Sequence, residues 1–322
     1  MRGLVSGVWA RPITIIWLPP ALWAGNMVLG RALAADFPPV SLAVFRWLIT
    51  LALILPFVGR LLWQQRAIVR REGLMIVACG AFGIAGYNAL AYVALKSVPA
   101  ANVAFLNSTL PLMVPVFAFV LGVERVGRRT LFGLVVSSFG VAWLMTGGNL
   151  AAITGLSFSG GEGLVLIAIS NYAIYSVLLR RMPADLNPFV FFTATVIAGL
   201  VVLAPFWIAE LAAGAILPTD PASWAAVAYL GVFASLVAFL LWMRCVAVLG
   251  STITGTSFHL MAVFTAAFAW AALGEPLESY HFAGIGLILL GVFCATIPLP
   301  AGLLPGTMPR LRPVPIRIRR RR

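Results

Sequence analysis

The sequence predicts an all-α integral membrane protein of ten transmembrane helices, arranged as two inverted five-helix repeats around a central cavity. Three observations carry that expectation. The 322 residues are 62% hydrophobic and only 10% charged, with a mean hydropathy of +1.03, whereas soluble domains carry about 25% charged residues. Apolar runs long enough to cross a hydrocarbon core recur along the whole chain. The two halves also repeat each other at a nearly constant spacing.

A crossing helix needs about 20 apolar residues. On that scale the spans fall at 13–33, 39–58, 74–95, 101–122 and 130–147, then at 163–180, 189–209, 223–247, 252–274 and 282–299. The first could be mistaken for a signal peptide, because Ala32-Leu33-Ala34 resembles a cleavage site. Its apolar run from Ile13 to Leu29 exceeds the ~7–15 residues of a signal core, and Arg31 directly precedes the site, so a retained helix is expected. In helix 3, Gly80, Gly83 and Gly86 make a small face suited to close packing in lipid. The longest linker, Gly148 to Glu162, is rich in Gly and Ser and divides the chain into halves 1–150 and 151–300. A basic tail, 301–322, follows.

Orientation comes from the loops. Arg2 and Arg11, then Arg60, Arg66, Arg70 and Arg71, then Arg125, Arg128 and Arg129, then Arg180 and Arg181, all fall on one side with the tail. The alternate loops are nearly free of basic residues. The positive-inside rule therefore puts both termini in the cytoplasm, which needs an even number of spans. Seven of the 22 basic residues lie in the tail, so the net charge of +13 reads as topology and contact with anionic lipid, with no nucleic-acid partner. Cys79, Cys245 and Cys294 sit inside apolar runs without CxxC spacing, so they read as packing residues; no metal or cofactor is expected.

The repeat emerges when the closing glutamates Glu124 and Glu275 are aligned, 151 residues apart. The same offset pairs Gly80 with Gly231, Phe82 with Phe233, Gly133 with Gly284, and Gly140 with Gly291. An offset of 149 pairs Trp23 with Tyr172, Arg31 with Arg180, and Pro39 with Pro188. Five helices per half make the second half enter the membrane from the opposite side, a device of secondary transporters.

These residues resemble the EamA type of the drug/metabolite transporter superfamily. The resemblance rests on Leu22-Trp23-Ala24-Gly25-Asn26 followed by Arg31, on Pro39 with Arg46, on Pro111 thirteen residues before Glu124, and on Gly274-Glu275-Pro276-Leu277. It implies a ten-helix basket that exports or exchanges small metabolites such as amino acids across the bacterial cytoplasmic membrane. One departure stands out: Ala262 occupies the position matching Pro111, so helix 9 lacks the kink-forming proline, a change expected to be tolerated.

In lipid a polar side chain faces the protein interior or a wet cavity. The substrate-binding candidates are therefore Trp23, Asn26, Tyr87, Asn88, Asn107 and Ser108 in the first half. Tyr172, Tyr175, Trp242, Ser257 and His259 are their counterparts in the second. Tyr92 and Asn171 have the same character. Each could instead be an interhelical hydrogen-bond partner or an interface anchor. Arg46, Pro111, Glu124 and Glu275 are assigned structural or gating roles. Arg46 could alternatively snorkel to the outer interface or bind a substrate carboxylate.

All nine acidic residues lie in loops or at helix ends, so no midplane carboxylate is available for proton relay. Transport is then facilitated diffusion or exchange, or is coupled through His259. An intramembrane enzyme would need a catalytic cluster, and only His259 and His281 exist. No phosphate-binding glycine loop supports ATP-driven transport. A phosphorylated-sugar or nucleotide-sugar carrier would want several cavity cations, and Arg46, Arg244 and Lys96 are a thin supply. A neutral or zwitterionic small-molecule substrate fits better.

Overall fold

The computed structural model describes residues 12–33, 37–94, 96, 98, 106–155, 161–273 and 278–296. Glu275 and the basic tail lie outside the described residues. The described chain is helical, with no strand among the described residues.

Each predicted run contains a helix. A short 3-10 turn, Pro12–Thr14, leads into α1, Leu18–Leu33. It is followed by α2, Pro39–Gln64, and α3, Gly73–Ala94, with the short helix Arg66–Arg71 between them. Then come α4, Leu110–Val120, and α5, Arg128–Met145. The second half contains α6, Glu162–Arg181; α7, Pro188–Ala212; and α8, Pro221–Leu249. Its α9 runs through Ser251–Thr256, a 3-10 turn Ser257–His259, and Leu260–Leu273; α10 is Ser279–Thr296. Six of these, α2, α3, α6, α7, α8 and α10, are long and apolar enough to cross a membrane. Outward-facing apolar side chains such as Phe57 and Leu74, each 87% exposed, suit a lipid solvent. α2 continues to Gln64, past the apolar run's end at residue 58, because a helix keeps its hydrogen-bond ladder in the headgroup zone where Arg60 can reach water.

Helix starts are built from residues that tolerate unpaired amides. Prolines open α2, α7 and α8, where a missing N–H costs nothing. Asn187 and Asp220 cap α7 and α8 by accepting from the amides of Phe189 (2.9 Å) and Ser223 (2.8 Å).

Glycines set the closest helix approaches. In the α5–α10 pair, Gly133 lies against the backbone of Gly291, and Gly140 against that of Gly284 and Ile288. Gly80 of α3 meets Thr195 and Gly199 of α7, while Gly231 of α8 meets Arg46 and Ile49 of α2. Both α3 and α8 widen into π-helical segments at these glycines, Gly80–Gly86 and Leu230–Val237. Such wide turns are rare and cluster at functional sites.

Although Ala262 stands where the kink-forming proline would be, α9 is still broken: the 3-10 turn Ser257–His259 interrupts it, at a position matching the turn at Ser108–Thr109 that precedes α4. Ser257 Oγ donates to the Thr254 carbonyl at 2.6 Å. A hydroxyl that competes for the helix's own acceptors loosens the ladder without proline.

Candidate functional site

α1, α2, α3, α6, α8 and α9 converge on one buried cavity lined by Trp23, Asn26, Arg46, Tyr87, Asn88, Tyr172, Phe239 and Phe258. Its volume is about 10 Å³, room for roughly one water. Every side chain that lines it is buried.

Arg46 is the polar centre. It is 1% exposed, so it does not snorkel. Its Nε donates to Ser235 Oγ (2.8 Å), and Nη1 lies within hydrogen-bond distance of Asn26 Oδ1 (3.2 Å), Asn88 Oδ1 (2.9 Å) and the Tyr92 hydroxyl (2.7 Å). Tyr92 in turn donates to Asn26 Oδ1 at 3.1 Å, and Asn88 Nδ2 to the Ile84 carbonyl at 3.1 Å. The guanidinium carbon sits 5.4 Å from the Trp47 ring centre. All of these partners are neutral.

Aromatic rings form the rest of the wall. Trp23 packs edge-on against Tyr172 (5.7 Å) and Phe239 (5.8 Å), and at a tilt against Trp242 (5.1 Å) and Phe258 (5.6 Å). Its indole N–H donates to the Ala234 carbonyl at 2.9 Å, so the ring is held from both ends. The Tyr172 hydroxyl is buried without a hydrogen-bond partner.

Of the sequence candidates, Trp23, Asn26, Tyr87, Asn88 and Tyr172 line the cavity, and Arg46 joins them. Tyr175 and Trp242 pack on Tyr172 just behind the wall, at 5.5 and 5.7 Å. Asn107 accepts from the Tyr87 hydroxyl at a long 3.4 Å, and its Nδ2 is unpartnered. The remaining candidates do not reach the cavity. His259 bridges helices: Nε2 lies 3.1 Å from the Ser108 carbonyl, which can only accept, and Nδ1 lies 2.7 Å from Ser137 Oγ. Ser108 therefore contributes its backbone, and Ser257 bonds its own helix. Pro111 sits in the first turn of α4. Sequence reasoning missed Ser235, Phe239 and Phe258; the small Gly231 one turn before Ser235 was the available signal.

A separate polar cluster ties the start of α9 to the ends of α6 and α8. Glu124 accepts from the amides of Ser251 (2.7 Å) and Thr252 (3.1 Å) and from Thr252 Oγ1 (2.9 Å), at the start of α9. Gly250 reaches it with φ 94°, a conformation open to glycine. Arg180 Nε stands 3.0 Å from Glu124 as an ion pair, while its Nη1 donates to the carbonyls of Val246 and Ala247 (3.2 and 3.0 Å). Arg181 donates to the Leu121 carbonyl at 2.7 Å. On α7, Glu210 grips the start of α2 in the same way, accepting from the amides of Val40 (2.9 Å) and Ser41 (2.7 Å).

The EamA-like transporter family model matches the chain twice, over residues 11–146 and 159–297. The chain belongs to the EamA-like transporter family. It is 26% identical to the uncharacterized transporter YyaM of Bacillus subtilis, over 83% of this chain and 88% of that one. It is 24% identical to a protein named a probable terminal-alkyne amino-acid exporter of Streptantibioticus cattleyicolor, over 90% of this chain and 93% of that one. A solved crystal structure of a protein 21% identical superposes with a TM-score of 0.69, covering 88% of this chain and 96% of that one; the two share a fold. This EamA-like chain is thus a multi-pass membrane transporter that handles small molecules within a lipid bilayer.

Proposed function

We propose that the chain is a secondary transporter that exports or exchanges amino acids or similar small metabolites by alternating access. Its two halves, 1–150 and 151–300, are inverted five-helix repeats, and both termini lie in the cytoplasm. The observation that carries this reading is the small buried cavity, whose polar and aromatic lining comes from both halves: Trp23, Asn26, Arg46, Tyr87 and Asn88 from one, Tyr172, Phe239 and Phe258 from the other. A room for one water cannot hold a metabolite, so a substrate enters only when the halves part.

The repeat is supported by paired contacts. Gly80 on α7 and Gly231 on α2 exchange equivalent packing, and the π-helical segments recur at the same glycines. The named exporter among the relatives supports outward transport of amino acids. With the basic loops inside, the Glu124–Arg180 cluster is a cytoplasmic gate: α4, α6, α8 and α9 meet there, and the ion pair must break for that side to open.

No carboxylate lines the cavity, which supports facilitated diffusion or exchange. His259 is the one titratable imidazole in a helix core, and coupling through it is the alternative. Counterflow of radiolabelled amino acids into proteoliposomes tests the reading, with Trp23→Ala and Asn88→Ala as cavity controls. Rates that match empty liposomes for every amino acid would sink it. Accumulation driven by a pH gradient that persists in His259→Ala would remove both coupling schemes.

A further inference from the structure

We infer that the cavity binds an apolar-bodied monocarboxylate whose charged group is the counter-ion that Arg46 lacks. A guanidinium stays protonated in any protein environment, and a buried charge is costly unless it is paired. Arg46 is 1% exposed, yet its partners Ser235, Asn26, Asn88 and Tyr92 are uncharged. Three acceptors crowd Nη1, which has only two hydrogens, so one of them can be exchanged at little cost. Replacing an amide oxygen by a carboxylate gives the guanidinium an opposite charge and a planar, two-oxygen acceptor that matches its fork of N–H donors.

A second, independent feature points to the same ligand. The Tyr172 hydroxyl, on the same wall, is buried without a hydrogen-bond partner. It is a donor available to the second carboxylate oxygen. The surrounding rings of Trp23, Phe239 and Phe258 would then receive the ligand's apolar body.

The site also lacks something. None of its lining residues carries a negative charge, so an ammonium group finds no ionic partner. The carboxylate is therefore the recognised group and an α-amino group is incidental. A single cation likewise suits a monoanion better than a phosphate dianion.

This inference rests on the transport reading for the cavity being the substrate site. Titration of the purified full chain in detergent, followed by tryptophan fluorescence, tests it with matched probes. 3-Phenylpropionate and L-phenylalanine are expected to bind within threefold of each other. 3-Phenylpropanamide, phenethylamine and phenyl phosphate are each expected to bind at least tenfold more weakly. Arg46→Gln should lose at least about tenfold in acid affinity, the scale of a charged hydrogen bond, and Arg46→Lys should keep the preference for acid over amide. The wild-type series needs no variant to fold. Amide, amine or phosphate binding as tight as the acid, or no acid binding, would overturn the assignment. Acid binding without counterflow would overturn the transport reading and leave the anion site standing. Counterflow of phenethylamine but not of the acids would do the reverse.

Discussion

Single side chains in this bundle are decided by whether their polar atoms find a partner. Thr195 is the test. It is fully buried, its hydroxyl has no hydrogen-bond partner, and Gly80 presses on its carbonyl. An unsatisfied buried hydroxyl costs about 1–3 kcal/mol. Thr195→Val, which keeps the shape, is expected to stabilise the protein by about 1 kcal/mol, seen as a higher melting temperature in detergent. A lower one would mean that the hydroxyl has a partner. The same rule explains what could be read in advance. Asn26, Asn88, Tyr172 and Trp23 betray an interior position because a polar or amphipathic group inside an apolar run must face away from lipid. Phe239 and Phe258 carry no such mark, since Phe57 has the same chemistry and faces outward. His259 announced its depth but not its direction. Successive residues turn by about 100° around a helix, and that rotation sends its ring to Ser137 and Ser108 instead of the cavity.

Between helices, backbone contact and capping dominate. A Cβ on Gly140 would stand 2.8 Å from the backbone nitrogen of Ile288, an atom that cannot move aside. Gly140→Ala is therefore expected to destabilise by about 1–3 kcal/mol, as other overpacked interfaces do, measured as a drop in thermal stability. At the start of α8, the amide of Ser223 donates to Asp220 and its hydroxyl adds to the hold, keeping the carboxyl below its ordinary value of 3.8. A lowered folded value means that the cap contributes above pH 3.8 and is lost as pH falls through the lowered value. Protection of the Ser223 amide, its exchange relative to an unstructured amide at the same pH, should fall only below about pH 4, and Asp220→Asn, which keeps the acceptor, should flatten that profile. The helices themselves were legible because apolar length is a strong signal. The break in α9 was not, because it depends on Ser257 turning its hydroxyl onto Thr254 and not on a proline.

Across the whole molecule, the polar clusters lie at helix ends and the cavity between them. Arg180 links α6 to Glu124 and to the end of α8. Arg180→Gln should weaken that closure while leaving the glycine contacts intact. Cys245, buried against Pro12 and one residue before the Val246 carbonyl that Arg180 holds, is the natural reporter. Its labelling by a membrane-impermeant maleimide from the basic-loop side is expected to speed up several-fold. Unchanged labelling would remove Arg180 from the gate. The organisation in halves that we propose rests on the spacing of Glu124 and Glu275 in the sequence. Which neutral groups would gather around Arg46 was not visible, since Ser235 and Asn26 come from helices far apart in the chain.

The α5–α10 pair has a different consequence. With Gly133 on Gly291 and Gly140 on Gly284, the two helices touch main chain to main chain, with only the first side-chain carbons of residues such as Ser137, Leu144 and Ala295 beside the glycines. Such a pair behaves as the spine of a book, stiff while the pages turn. Spin labels on its lipid-facing residues Val135 and Leu289, both well exposed, should report one sharp distance whether or not cargo is added. That pair would give spectroscopists a fixed ruler against which every other helix can be measured.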